Sequence, residues 1–426
     1  MATWLDYIVP GLRERDWNVT LGLVAGRFHD VDAYLSAHPD GQVLRIPSTT
    51  GTCEGRVRQL VYAIYSARPD IVVAVNIADV PAAVQRLRAK SAWSPRLAVA
   101  LHGLQSDLVG SIESCVGVLD AVVCANRLIC EMVAKATSIG ADRIYYAPCG
   151  VDRNVVAGRV QRDSEGKLRI AYVGRMERAE KRIGDIVAIV AELDRRGVAY
   201  ELLVAGDGPD DDWLKARLAD AVERGRVQLL GALVGSDLAK QVYDRADAIL
   251  ITSPCESGPL VAWEAMAHGV IVVSSAYIGS ALEGSLKSDE NCLMFPVGEA
   301  ITAVDCLERL RDPKLCTRLR EGGFALVAER YSTIGSIGQW DSTLKEIAAR
   351  APMPPARQST ALRPPHAGRL DRLVGRQAAE TIRELLSLRY DHCEAGGEWP
   401  HAKLCSPVDE DKFWQLARSL DRRPSS

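Results

Sequence analysis

The sequence lacks the features of membrane-spanning, exported and nucleic-acid-binding proteins. Its 426 residues carry a formal net charge of −3, which gives no electrostatic reason to expect a nucleic acid partner. Apolar runs such as 71–75 and 270–273 are far shorter than the roughly 20 residues of a membrane-spanning helix. Charged side chains stand in residues 1–16 where a signal peptide would need an apolar core. We therefore expect a cytoplasmic protein, with peripheral contact to the inner face of a membrane left open.

Cysteine is present without any repeated spacing. The chain has 11 cysteines, an odd number that would risk mispairing in an oxidising compartment. Cys115, Cys124 and Cys130 fall inside predicted helices or strands, where a free cysteine acts as a small hydrophobe. The pattern indicates a reducing cytosol.

One cluster carries donor atoms that suit zinc. It consists of His392, Cys393, His401 and Cys405. The spacing matches no standard zinc motif, so an ordinary polar loop is the alternative interpretation. We predict no metal site.

The order of short and long periodic segments predicts an α/β protein. A composition of 47% hydrophobic and 25% charged residues is that of an ordinary globular chain. Short β-branched runs alternate with longer amphipathic stretches from Trp17 onward, as in parallel α/β domains. The predicted strands are Asn18–Leu23, Val43–Ile46, Ile71–Val75, Leu97–Ala100, Ala121–Cys124, Ile144–Ala147, Arg169–Val173, Glu201–Ala205, Val227–Leu230, Ala248–Ile251, Val270–Val273 and Cys292–Phe295. The predicted helices between them include Arg56–Ala67, Pro81–Lys90, Asp211–Glu223, Leu238–Ala246 and Pro259–Ala267.

This alternation predicts two successive doubly wound domains, 1–150 and 151–335, with ligands at the carboxyl ends of the strands. A helix over 336–350 is expected to pack back on the first domain. Five prolines in 351–366 indicate a linker. The tail, 367–426, is predicted to contain the helices Leu370–Arg389 and Asp409–Leu420. Two roles are open for the tail: it forms a contact in an oligomer, or its helices cover the main body.

A pair of cations follows the first strand of the second domain. Gly174 and Arg175 come directly after this strand, and Lys181 lies six residues beyond Arg175. Two positive side chains at a strand end, beside a helix start, suit a phosphate group. A solvated turn is the alternative for this segment alone.

Two glutamates flank a predicted helix start. Glu256 precedes Gly258, and Pro259 suits the first helical turn. Glu264 lies on a helix that is otherwise mostly apolar, where an unpartnered acid would be costly. A carboxylate that accepts two hydrogen bonds suits the adjacent hydroxyls of a sugar. An N-cap acid and a surface acid are the alternative.

These motifs resemble the donor domain of glycosyltransferase family 4. They occur in family order and together are specific, whereas the first-half matches are weaker; the resemblance covers about residues 5–350. The matching segments are Val173-Gly174-Arg175 with Lys181, Val204–Pro209, Leu230-Gly231, Glu256-x7-Glu264, Asn291–Met294, Glu329–Ser332, Ala100–Gly103 and Ala147–Asp152.

The resemblance implies the GT-B fold, with two Rossmann-like domains facing a cleft. It also implies retaining transfer from a nucleotide-diphosphate sugar to a saccharide or lipid-linked acceptor, without metal or another cofactor. Arg175 and Lys181 would hold the diphosphate, Glu256 the transferred sugar and Glu264 the ribose, while His102 would face the sugar across the cleft. The predicted catalytic residues are Glu256, Arg175, Lys181 and His102, and the predicted donor-binding residues are Gly174, Ser257, Gly258, Pro259, Leu260 and Glu264.

The sequence departs from the family pattern in two places. Pro259 removes an amide donor from the loop that would hold the donor. Residues 4–12 read as the first helix, so we expect this sequence to lack the strand and glycine-rich loop that open family members. We expect a shortened form with reduced stability and little activity. A catalytically weak relative that binds a nucleotide sugar, or serves as a scaffold, is the alternative function, and a GT-B epimerase or phosphorylase is a third.

Overall fold

A computed structural model describes residues 2–25, 30–38, 43–91, 93–152, 166–354, 368–389 and 409–421. The chain divides into two compact units. Unit 1 comprises residues 1–147 and 337–416, and unit 2 comprises residues 148–336 and 417–426. None of the described helices is long and apolar enough to cross a membrane.

Unit 1 alternates strands and helices, as the sequence predicts. Its strands are β1 (Leu21–Val24), β2 (Val43–Ile46), β3 (Ile71–Val75), β4 (Arg96–Leu101), β5 (Ala121–Cys124) and β6 (Ile144–Tyr146). Its helices up to residue 147 are α1 (Ala2–Arg13), α2 (Val31–Ala37), α3 (Cys53–Ala67), α4 (Val80–Lys90), α5 (Ser106–Cys115) and α6 (Arg127–Ala136). Local chemistry fixes several helix starts; the Asn126 side chain, for example, accepts a hydrogen bond from the Ile129 amide at 2.8 Å and caps α6.

Unit 2 holds a single six-stranded sheet. Its strands are β7 (Leu168–Val173), β8 (Tyr200–Ala205), β9 (Val227–Gly231), β10 (Ala248–Ile251), β11 (Ile271–Ser275) and β12 (Cys292–Phe295), and all adjacent pairs are parallel. The helices are α7 (Ile183–Arg195), α8 (Asp211–Glu223), α9 (Gly235–Leu238), α10 (Leu260–Ala267), α11 (Ser280–Glu283), α12 (Ala300–Arg309) and α13 (Pro313–Arg330). The spatial order is β12-β11-β10-β7-β8-β9, so the first strand of the unit lies between its second and fourth strands.

The β7 strand shows why the sheet of unit 2 is buried on both faces. Ile170 and Tyr172 enter one apolar core, whereas Ala171 enters the other. Successive side chains of a strand point to opposite faces, so near-continuous apolar runs are needed when helices cover both faces. This arrangement confirms the doubly wound prediction for this unit.

The strands of unit 1 form two sheets. β1 pairs with β2, and β3–β6 form a separate four-stranded parallel sheet in chain order. The helix α1 confirms the predicted helix in residues 4–12. Among the described residues, β1 has no strand on its edge away from β2, and β3 none on its edge away from β4. Four of the five β3 side chains are only partly buried, unlike the fully buried β10 and β11.

Several predicted helix boundaries are wrong. The segment predicted as one helix over Leu238–Ala246 is the end of α9 followed by a π-helical turn at Ala239–Tyr243. Pro259 lies before α10, in an extended conformation, and not in its first turn. The predicted helix Leu370–Arg389 is two helices, α15 (Arg369–Val374) and α16 (Arg376–Leu385), because Gly375 has φ +81° and breaks the helix.

Two further helices complete the described chain. α14 (Thr333–Ala349) leads out of unit 2, and Gly11 of α1 lies against Ile337 of α14 within unit 1. α17 (Glu410–Leu420) matches the second predicted tail helix. The nine described cysteines are free thiols. The candidate zinc cluster at residues 392–405 lies outside the described residues.

Candidate donor-binding site

The site of unit 2 gathers at the carboxyl ends of two neighbouring strands. β7 and β10 are paired in parallel, so the loops that follow them leave the same edge of the sheet. Gly174 and Arg175 begin the first loop, and the second contains Glu256. This edge is where ligands bind in doubly wound sheets.

Two glycines after β8 support the loop that carries Arg175. Gly206 has φ +137°, and a Cβ atom there would lie 1.9 Å from the carbonyl oxygen of Gly174. Gly208 has φ +159°, and its Cβ would lie 2.5 Å from the carbonyl oxygen of Met176. The Met176 amide donates to the carbonyl of Asp207 at 2.7 Å. The glycines of this motif therefore allow backbone packing between two loops.

Arg175 is the most exposed of the predicted site residues, with 49% of its side chain accessible. It pairs with Glu177 at 2.6 Å and also with Glu180. The Tyr172 hydroxyl donates to the Arg175 carbonyl oxygen at 3.1 Å. The Tyr172 hydroxyl thus fixes the backbone of Arg175, while the Arg175 guanidinium contacts two acids of its own loop.

Lys181 and Glu256 form a partly buried ion pair. The ammonium nitrogen of Lys181 lies 2.5 Å from Oε1 of Glu256. The Lys181 carbonyl oxygen accepts a hydrogen bond from the buried Thr252 hydroxyl at 2.7 Å. Thr252 directly follows β10, so this bond ties the loop after β7 to the loop after β10.

The segment Ser257–Leu260 leads from Glu256 into α10. Gly258 has φ +100° with open space where a Cβ would be, so the left-handed conformation alone requires glycine there. The carbonyl oxygen of Pro259 accepts from the Ala262 amide at 2.9 Å, and α10 begins at Leu260. First-turn amides of a helix have no partner within the helix, and the start of α10 has the dipole orientation that favours an anion.

Glu264 lies one turn into α10 and has a defined partner. The Tyr243 hydroxyl donates to Oε2 of Glu264 at 2.7 Å. Burial raises the pKa of the Glu264 carboxyl, and the hydrogen bond from Tyr243 opposes that shift. Tyr243 ends the π-helical turn and is itself buried. Sequence reasoning missed Tyr243, because the turn that carries it was predicted as regular helix.

His102 lies in unit 1, directly after β4. Its ring packs edge-on against Trp4 of α1, with the ring centroids 4.8 Å apart. Burial lowers the pKa of His102 to about 4, so the imidazole is neutral at physiological pH. A neutral imidazole can exchange hydrogen bonds with a sugar hydroxyl but does not contribute a positive charge.

The structure thus brings together several of the predicted residues within unit 2. Lys181 contacts Glu256 directly, and Arg175 and Glu264 lie on loops or helices at the same sheet edge. Gly174, Ser257, Gly258, Pro259 and Leu260 lie in the two loops that connect these side chains. Within the described part of the chain, there is no group of three His, Cys, Asp or Glu side chains arranged to hold a metal ion. The absence of a metal or another cofactor from the reaction stays a prediction.

Residues 167–312 match the model of a protein family described as "Glycosyl transferases group 1". The matched segment contains Arg175, Lys181, Glu256 and Glu264. It covers most of unit 2 and none of the first 147 residues of unit 1.

Two curated relatives are similar over part of the chain. A glycogen synthase of Mycobacterium tuberculosis is 28% identical over 233 residues, which are 54% of this chain and 53% of the relative. An alpha-D-kanosaminyltransferase of Streptomyces kanamyceticus is 26% identical over 179 residues, 42% of this chain and 45% of the relative. The chain therefore spans about half the length of these proteins.

Solved structures with a similar fold cover more of the chain. HepE of Anabaena, solved in complex with UDP-glucose, aligns with a TM-score of 0.65 over 81% of this chain and 95% of its own, at 16% identity. A lipopolysaccharide outer core galactosyltransferase, WaaB, aligns with a TM-score of 0.59 over 77% of this chain and 98% of its own, at 18% identity. The chain has the GT-B fold, with two Rossmann-like units, and an added helical C-terminal region.

Proposed function

We propose that this protein is a glycosyltransferase that moves a sugar from a nucleotide-diphosphate donor to a saccharide or lipid-linked acceptor. The matched family segment, the similarity to two sugar-related enzymes and the UDP-glucose bound by HepE support the donor class. Retention of the anomeric configuration is part of the proposal. The protein would work in the cytoplasm, at or near the inner face of a membrane.

One observation carries the proposal. Two cations and two carboxylates lie at one sheet edge, on loops or helices that follow the adjacent strands β7 and β10. Positive side chains suit a diphosphate, and a carboxylate can accept hydrogen bonds from two adjacent hydroxyls. A nucleotide-diphosphate sugar carries both kinds of group in one extended molecule.

Each residue then has a distinct task. Arg175 and Lys181 hold the diphosphate and stabilise the negative charge that grows on it as the bond to the sugar breaks. Glu256 contacts the transferred sugar, and Glu264 holds the ribose. The departing phosphate takes the proton of the acceptor hydroxyl, so no side-chain base is required.

A second function is favoured by the split sheet of unit 1. β1–β2 and β3–β6 are separate sheets, and the side chains of β3 are incompletely buried. A unit built in this way could place an acceptor poorly, while unit 2 still binds a nucleotide sugar. The protein would then act as a nucleotide-sugar-binding or scaffold protein.

Two measurements on the full chain distinguish these functions. Calorimetry with a panel of nucleoside diphosphates and nucleotide sugars tests binding, and product analysis with saccharide and lipid-linked acceptors tests transfer. Binding with transfer supports the enzyme, and nuclear magnetic resonance of the new linkage then reports whether configuration is retained. Binding of a nucleotide with neither sugar transfer nor donor hydrolysis supports the second function. A failure to bind any of these nucleotides contradicts both.

A further inference from the structure

The tail helices α15 and α16 bury charged side chains and expose apolar ones. Asp371, Glu380 and Arg383 are all buried. By contrast, 80% of Leu373 and 79% of Leu385 are exposed, as are much of Val374, Leu386 and Leu388. Soluble helices normally show the opposite arrangement, with leucine inside and charge outside.

The buried charges explain how the tail is attached. Glu380 accepts hydrogen bonds from the hydroxyls of Thr50 and Thr52, the latter at 2.7 Å, at the start of α3. Arg383 pairs with Glu380 at 3.1 Å and with Asp371 at 2.5 Å. The charged side chains of the tail thus bond to one another and to the start of α3. Because this charged face is turned inward, the apolar side chains face solvent.

The exposed charges of the same segment are mostly positive. Arg369, Arg372 and Arg389 are exposed. The one exposed acid of residues 368–389, Glu384, pairs with Arg58 of α3 at 2.8 Å. The chain as a whole has a net charge of −3, so this positive segment contrasts with the rest of the protein.

We propose that residues 368–389 form a surface that binds an anionic lipid bilayer. Exposed leucines insert among acyl chains while arginines remain at the level of the lipid head groups. Anionic head groups attract basic segments close to the membrane surface. The surface belongs to unit 1 and the candidate donor-binding residues Arg175, Lys181, Glu256 and Glu264 belong to unit 2, so its test does not depend on the proposed function.

A second copy of the chain is the other occupant to consider. Interface centres are depleted of charged residues, whereas three exposed arginines in this segment would repel their counterparts in a symmetric pair. An anionic bilayer satisfies both the arginines and the leucines. The charge of the segment therefore favours the bilayer.

Vesicle binding by the full chain tests the proposal. Co-sedimentation is measured with phosphatidylcholine vesicles and with phosphatidylcholine–phosphatidylglycerol vesicles. We expect binding to the mixed vesicles, weakened about tenfold or more in Leu385→Ser/Leu386→Ser. Arg369→Gln/Arg372→Gln should lower binding to the mixed vesicles by about fivefold for each arginine and leave binding to phosphatidylcholine vesicles unchanged.

Matched variants at exposed positions of unit 2 test whether the loss of any exposed apolar or positive side chain weakens vesicle binding. Val234 and Ile334 are 81% and 74% exposed in unit 2, so Val234→Ser/Ile334→Ser should leave vesicle binding unchanged. Arg311→Gln/Arg318→Gln is the corresponding charge control. Circular dichroism and the melting temperature check that the leucine variant folds normally.

Three outcomes would overturn the proposal. The first is no binding of the folded chain to the mixed vesicles, and the second is an equal loss in the control variants. The third is self-association in sedimentation velocity that the leucine variant abolishes while vesicle binding is absent. This last result would assign the surface to a second copy.

Discussion

Lys181 and Glu256 are in direct contact, with the ammonium nitrogen 2.5 Å from a carboxylate oxygen, although the proposed function gives them different parts of the donor. The diphosphate would take Lys181, and the sugar would take Glu256. Under the proposed function, a bound donor would separate the two side chains. Part of the binding free energy of that donor would then be used to break the Lys181–Glu256 ion pair.

Glu256→Gln should separate nucleotide binding from transfer. The variant removes the negative charge beside Lys181, and a partly exposed ion pair is worth up to about 1 kcal/mol, so a nucleoside diphosphate should bind up to about fivefold tighter. Transfer should fall at least tenfold, because the contact to the sugar is weakened. Calorimetry and turnover are compared, with Glu290→Gln at an exposed position as control. Weaker nucleoside diphosphate binding in Glu256→Gln would contradict this prediction.

Arg175→Ala should lower transfer by tenfold or more. A lost hydrogen bond between charged groups is worth about 1.5–3 kcal/mol. Arg178 is an exposed arginine of the same loop that pairs with Asp210 at 2.8 Å, and Arg178→Ala should retain most of the activity. Equal turnover in the two variants would show that Arg175 has no specific role in transfer.

The Tyr243–Glu264 hydrogen bond should set the pH dependence of nucleotide binding. An ionised Glu264 accepts hydrogen bonds from ribose hydroxyls, so affinity is present above its pKa and is lost as the pH falls through that value. Burial raises this pKa and Tyr243 opposes the rise, so Tyr243→Phe should move the loss of affinity to higher pH. Glu264→Gln should bind more weakly at neutral pH without this pH dependence. Calorimetry across pH tests both variants, and superimposable profiles for wild type and Tyr243→Phe would speak against the assignment.

His102 should make unfolding sensitive to acid. Its pKa falls from 6.5 to about 4 in the folded chain, so the unfolded chain takes up this proton first as the pH falls. The stabilisation is present above pH 6.5 and declines towards pH 4, by on the order of 3 kcal/mol. His102→Asn should lose less stability over this window than the wild type in urea titrations, and His38→Asn serves as control. Parallel losses in wild type and His102→Asn would show that the ring does not control this range.

The buried charges of the tail should matter for stability. Arg383→Met leaves Asp371 and Glu380 without their buried cation, and breaking such a pair costs about 3–5 kcal/mol. Arg372→Met, at an exposed position of the same segment, should change stability by less than about 0.5 kcal/mol. Urea unfolding compares the two, and similar midpoints would show that the Arg383 cluster does not hold the tail.

Most strands could be predicted because they are short and mostly apolar. Residues 43–46, 71–75, 121–124, 248–251 and 292–295 were predicted with the bounds that the structure shows. In residues 121–124 and 248–251 every side chain is buried, as expected for apolar runs inside a covered sheet. The secondary structure of such runs can therefore be predicted from the local sequence alone.

The errors fall where distant contacts decide the conformation. The π-helical turn at Ala239–Tyr243 places Tyr243 against Glu264, a partner 21 residues away. The contact between Lys181 and Glu256 joins residues 75 positions apart. Periodicity reports which face of a segment is apolar, but not which polar groups the fold brings together. The motifs therefore identified candidate residues but could not predict which of their side chains are paired.

The packing of Gly206 and Gly208 under the Gly174–Met176 loop makes two distant stretches of sequence a single unit for protein engineering. In a chimera that receives Arg175 and Lys181 on their own loop alone, the host residues at the positions of Gly206 and Gly208 would carry Cβ atoms. A Cβ at either glycine position would collide with the grafted carbonyl groups. Transfer of this cation pair to another scaffold therefore requires moving both strand ends together.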